Sequence, residues 1–201
     1  MNVKRVNNYL DPRFERGILM QHGGYIIDDE FPCKFLIINK HEAIVDYHDY
    51  SNIEEIIDEF RFYSRHITIF YDVNNNLLKE YDEVLLDKVK INELQPSQFF
   101  VDESKVDAIS TWARKEDDFI IPVIKINNEI IILDGHTRLY LANQLGINEI
   151  FIYEDSVDDY ISYFVQEAKR RGIDSVKALK VLPHASYFEK WLGFCNEYFN
   201  Q

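Results

Sequence analysis

The chain has 201 residues, 46% hydrophobic and 28% charged, enough apolar material for a core that needs no staples. Its 22 basic and 35 acidic residues give a net charge of −13, and no long segment carries a basic surplus. A large nucleic-acid footprint is therefore opposed, because such binding relies on Lys and Arg neutralising phosphates, and no duplex DNA binding is expected. No run approaches the ~18 apolar residues of a membrane span, and residues 1–14 lack the apolar core of a signal peptide, so a cytoplasmic protein without membrane contact is expected. Cys33 and Cys195 lie far apart in no metal-like spacing and read as reduced thiols.

From the start, Gly23-Gly24 and Pro32 punctuate the chain, with a short strand expected at Tyr25-Ile26-Ile27 and an acidic loop at Asp28-Asp29-Glu30. Lys34-Phe35-Leu36-Ile37-Ile38 suits a buried strand and Ala43-Ile44-Val45 its neighbour. Ser51 and Glu54 have the spacing of a capping box. Behind them Ile53, Ile56, Ile57, Phe60 and Tyr63 recur at helical spacing. A strand over residues 66–71 and a turn at Asn74-Asn75-Asn76 follow. Residues 1–85 thus read as an α+β region with a helix on a short sheet.

The next region opens with a strand at Val89-Lys90-Ile91 and a turn at Leu94-Gln95-Pro96-Ser97. A helix begins around Asp102 to Ser104 and carries Val106, Ile109, Trp112 and Ala113. Two apolar runs flanking Asn127-Asn128 predict a β-hairpin, with Pro122 confined to an edge or a strand start. A helix then ends at Gly146, followed by a strand at Ile150-Phe151-Ile152-Tyr153. The strands over 129–133 and 149–153 are expected to lie side by side and parallel. The tail reads as helical: Ser156 with Asp159 is a second candidate capping box, Tyr160, Ile161, Phe164, Val165 and Ala168 form a stripe, and Tyr187, Trp191, Phe194, Cys195 and Tyr198 form another. Lys169-Arg170-Arg171 reads as favourable charge at a helix C-terminus.

The chemistry concentrates at Asp134-Gly135-His136-Thr137-Arg138, where a strand becomes a helix. Unpaired N–H groups and the positive dipole end make such a start an anion site. Gly135 lets the backbone approach a ligand, and Arg138 offers forked donors to phosphate. Asp134 suits a divalent metal or a substrate hydroxyl, and His136 a phosphate contact or a proton transfer. The plainer alternative makes Asp134 an N-cap, Gly135 a turn residue and Arg138 the partner of an acidic neighbour.

Taken with Ile91, Leu94, Pro96, the helix over 106–112 and Pro122-Val123, this box resembles the ParB N-terminal/sulfiredoxin-like superfamily, over about a third of the chain. The resemblance implies an α+β protein with a ParB/sulfiredoxin-like domain at 86–154, flanked by the N-terminal α+β region and a helical extension at 155–201. It also implies a nucleotide (ATP or ADP) held by Gly135, His136, Thr137 and Arg138, and Mg²⁺ at Asp134. The box is closest in form to the free-serine kinases of that superfamily, which move a phosphoryl group onto a small molecule. Gln98 stands where those kinases carry a catalytic Glu, so Asp102 or Glu103 would have to stand in; the candidate catalytic set is Asp134, His136 and Glu103. A non-catalytic nucleotide-sensing module is the alternative, and a ParB-like DNA-associated protein a third.

Overall fold

The computed structural model describes residues 2–48 and 52–200. The chain divides into two compact units, Met1–Leu86 and Asp87–Gln201, each α+β. Residues 155–201, set apart in sequence, pack as part of the second unit.

The first unit is a six-stranded sheet in the order of the chain: β1 (Val3–Arg5), β2 (Gly24–Ile27), β3 (Phe31–Ile37), β4 (Glu42–Asp46), β5 (Ile69–Asp72) and β6 (Leu77–Glu80). Every neighbouring pair is antiparallel except β4 and β5, which are joined by the helix α2 (Ile53–Arg61) as a parallel connection must be. The α2 stripe of Ile56, Ile57 and Phe60 is fully buried, with Phe60 stacked on Phe35 at 4.2 Å between ring centroids. The strand β1, the short helix α1 (Arg16–Met20) and β6 carry no sequence signal strong enough to anticipate them.

Several expectations change here. Ser51 lies outside the described residues; Asn52 precedes α2 without a capping side chain, and the Glu54 carboxylate pairs with Lys79 instead of the backbone. The strand β3 alternates, turning Cys33 and Phe35 inward and leaving Leu36 exposed, because only one face of the sheet meets α2. Asp28 and Asp29 form the left-handed tip of the β2–β3 turn, with Asp29 paired to Lys4 at 2.6 Å.

The second unit contains a five-stranded sheet ordered β7 (Asp87–Lys90), β12 (Glu149–Glu154), β10 (Ile120–Ile126), β11 (Glu129–Ile132), β8 (Leu94–Gln95). A parallel pair, β9 (Phe100–Asp102) with β13 (Lys180–Leu182), stands apart from it. The helices are α3 (Glu103–Ile109), α4 (His136–Gln144), α5 (Tyr160–Arg170), the one-turn α6 (His184–Tyr187) and α7 (Gly193–Phe199). A π-helical stretch, Phe188–Leu192, joins the last two, so the aromatic stripe of residues 187–198 runs along one interrupted helix. Ile161 and Val165 of α5 pack with Ile124, Ile126 and Ile131 on one sheet face, while Gly135 at the start of α4 abuts Ile121, which alternation places on the other.

The β10–β11 hairpin turns at Asn127 and Asn128, both at positive φ. The expected parallel pairing of residues 129–133 with 149–153 does not occur. Both edges of β11 are taken, by β10 (antiparallel) and β8 (parallel), so β12 adds in parallel to the free edge of β10 and runs opposite to β11. Pro122 is likewise not at an edge but inside the central strand β10. Its carbonyl accepts from Leu133 on the β11 side, so its missing N–H falls where that strand has ended. The capping box expected at Ser156 is absent: Asp159 precedes α5 without a side-chain cap. Arg170 and Arg171 both pair with Glu167, and Lys169 with Glu129.

Candidate functional site

The start of α4 is built by a tight turn out of β11. Gly135 is the N-cap residue at φ +86, and no side chain caps the helix. A β-carbon there would lie 2.6 Å from Ile121 Cδ1 and 3.1 Å from Arg138 Nε, so any other residue would be strained in its backbone and would have to push these side chains aside. The first N–H groups of the nine-residue helix therefore have no partner from within it.

The Arg138 guanidinium folds back over this glycine. It donates to the Ile120 carbonyl at 3.1 Å and to Asp134 Oδ2 at 3.2 Å; its side chain is 18% exposed and that of Asp134 60%. The plainer alternative, Arg138 as the partner of an acidic neighbour, describes these contacts. Asp134 thus supplies this guanidinium with an anionic partner. It is the carboxylate expected to hold Mg²⁺, yet it is engaged with Arg138, and among the described residues no group of three or more His, Cys, Asp or Glu could hold a metal ion. These residues do not fit a protein-held cation. Thr137 is half-buried beside them.

His136 sits elsewhere than expected for a phosphate contact or a proton carrier. It is 4% exposed, and its Nε2 accepts N–H bonds from Ser97 (3.1 Å) and Gln98 (3.2 Å). An acceptor Nε2 means a neutral ring protonated at Nδ1, and burial holds its pKa down to about 4. The ring thus pins the 97–98 turn to the helix start. It does not carry protons at neutral pH, because the free lone pair is already used.

Beyond that turn lies a group that the sequence reading only touched. The Gln98 amide donates to the Phe100 carbonyl and lies 3.4 Å from the Tyr187 hydroxyl. At the end of β9, Asp102 is 0% exposed and caps α3: Oδ1 accepts from Ser104 N (2.9 Å) and Ser104 Oγ (2.8 Å). Its Oδ2 meets His184 Nδ1 at 2.7 Å, and the His184 side chain is 68% exposed. Burial works against the Asp102 charge, but the hydrogen bonds from His184 and Ser104 outweigh it and hold the carboxyl below its ordinary range. Glu103, the expected substitute base, is simply the exposed first residue of α3. The register of β13 against β9 sets Leu182 opposite Asp102, which brings His184 to it two residues later. No spacing in the sequence ties residue 102 to residue 184, and Tyr187 read as plain core.

No family model matches the chain, and no curated protein matches it. Among solved structures, the chain is similar to the crystal structure of protein Atu1540 from Agrobacterium tumefaciens at 15% identity and a TM-score of 0.35, over 48% of this chain and 62% of that one.

Proposed function

We propose that the second unit binds a phosphate-bearing small molecule, a nucleotide such as ATP or ADP, at the start of α4, as a phosphotransferase or nucleotide hydrolase of ParB/sulfiredoxin type. The observation that carries the reading is the uncapped N-terminus of α4 with the Arg138 guanidinium lying against Gly135. Phosphoryl transfer depends mainly on positioning and charge neutralisation, and a helix start beside a guanidinium offers both. Gly135 and Thr137 would offer N–H groups, and Arg138 would exchange Asp134 for a phosphate oxygen. His136 would hold the frame. The order of strand, 94–96 turn, helix, hairpin, glycine box and strand supports the ParB/sulfiredoxin-type assignment.

β12 runs opposite to β11 and does not pair with it, which contradicts the parallel strand–helix–strand unit from which a phosphate site at this helix start was expected. The reading rests on the local geometry instead. A second reading, a sensing module without turnover, is favoured by Gln98, whose amide is turned onto the Phe100 carbonyl and cannot act as a base. Calorimetric titration of the full chain with ATP, ADP and inorganic phosphate, with and without Mg²⁺, tests the proposal. Arg138→Ala is expected to lower nucleotide affinity about 10- to 100-fold, the worth of a lost charged hydrogen bond. A variant that melts lower but binds as tightly as the parent overturns it, as does a parent that binds none of the three ligands.

A further inference from the structure

We infer that Asp102 and His184 are a proton-accepting pair that activates a hydroxyl group, water or a small alcohol, for attack on the bound phosphoanhydride. The inference rests on the phosphate site proposed above and adds a reaction to it. His184 Nδ1 lies 2.7 Å from the buried carboxylate while the side chain is largely exposed, the arrangement in which a carboxylate orients an imidazole as a base and leaves Nε2 to take up a proton. A helix cap needs no such partner: Ser104 alone takes up Oδ1, and a buried carboxylate is costly unless hydrogen bonds meet both of its oxygens. The group that meets Oδ2 here is the His184 imidazole, whose side chain reaches solvent.

The surroundings suit an anionic reaction. Tyr187, one turn along α6 from His184, keeps its proton because burial pushes its pKa up, and Lys105 of α3 carries its ammonium 5.4 Å from the Tyr187 ring centroid. Facing Tyr187 are Asp102 from β9, Lys105 from α3, Cys195 from α7 and, farther off, the Asp134 carboxylate. A chain of contacts continues from Tyr187 through Gln98 to His136, the first residue of α4, so the pair and the helix start belong to one framework.

In the step, Nε2 of His184 takes the hydroxyl proton as the oxygen bonds to the terminal phosphorus. The bond from that phosphorus to the bridging oxygen breaks, and the shortened nucleotide leaves with the electron pair. The imidazolium, held by Asp102, then returns its proton to solvent. His184 is the catalytic residue and Asp102 the positioning one.

The test follows phosphorus NMR of the full chain with ATP, then ADP, each with water alone, with glycerol and with L-serine as acceptors, while nucleotide binding is titrated in parallel. His184→Gln keeps an N–H for Asp102 but no base; His184→Ala leaves space for added imidazole. Turnover is expected to fall at least 100-fold in both variants with nucleotide affinity within about twofold, and imidazole is expected to restore part of it in His184→Ala. Turnover unchanged in both variants overturns the pair. Nucleotide binding without turnover in the parent overturns the pair and leaves the phosphate site standing, whereas no binding at all removes both.

Discussion

At the start of α3 the carboxylate of Asp102 takes up the first-turn N–H itself, whereas α4 begins at Gly135 with no side chain in that place. Each start also carries a histidine, and the two are used in opposite ways. His136 is enclosed and spends its lone pair on two backbone N–H groups; His184 is exposed and has a carboxylate behind it. One helix start is open to an anion beside a closed imidazole, and the other is closed by its own anion beside an open imidazole. On the readings proposed above, ligand binding and proton transfer would fall to two neighbouring helix starts.

The largest test of that division falls on His136. Its replacement by Ala leaves the buried Ser97 N–H and the half-buried Gln98 N–H without an acceptor, and urea denaturation should show about 3–5 kcal/mol lost. A loss under ~1 kcal/mol would mean that the ring does not hold the 97–98 turn. Acid gives the same contrast without mutation. The His136 pKa is depressed from 6.5 to about 4, so the unfolded chain takes up a proton that the folded one refuses. Stability due to this group is complete above pH 6.5 and drains as pH falls towards 4, by roughly 3 kcal/mol at ~1.4 kcal/mol per pH unit. A denaturation series between pH 7 and 4 that shows no slope would contradict the buried neutral ring.

Asp102→Ala comes next. Losing the cap should cost about 1–2 kcal/mol, measured as a lower denaturation midpoint. Because the Asp102 pKa is depressed, its contribution is present above the ordinary carboxyl range and disappears as pH drops through the folded value, so the gap between parent and variant should close in strong acid. The smallest effect is expected from Asp134→Asn. The ion pair with Arg138 is largely exposed on the acid's side, so stability should move by less than ~0.5 kcal/mol. Phosphate affinity should rise about threefold, since a competing carboxylate is gone. Weaker binding in that variant would make Asp134 a ligand contact and not a competitor.

Much of the frame was legible because it rests on local periodicity. The α2 stripe, the Asn127-Asn128 hairpin, the Gly146 stop and the α5 stripe each follow from neighbours within a few positions. What escaped depends on pairing between distant segments. Nothing near residue 150 announces that β11 has both edges filled, and so β12 appeared beside the wrong strand. The box at 134–138 was found as a helix start, but the side chains' partners were not: Arg138 reaches Ile120, His136 reaches Ser97 and Gln98, and Asp102 reaches His184 across 82 positions. Residue type suggested a phosphate contact or a proton transfer for His136, whereas the ring is buried with its Nε2 already accepting two N–H bonds.

The three-residue pairing of β13 with β9 has a consequence for dynamics. His184 stands at the end of a connection that closes a loop of some eighty residues, anchored by a strand too short to resist local opening. Amide exchange across Lys180–Leu182 should accordingly outpace that of β10 or β12. Fraying of this strap would detach the imidazole from its carboxylate while the main sheet stays intact. The proposed base would then come and go with a three-residue strap, independently of the five-stranded sheet.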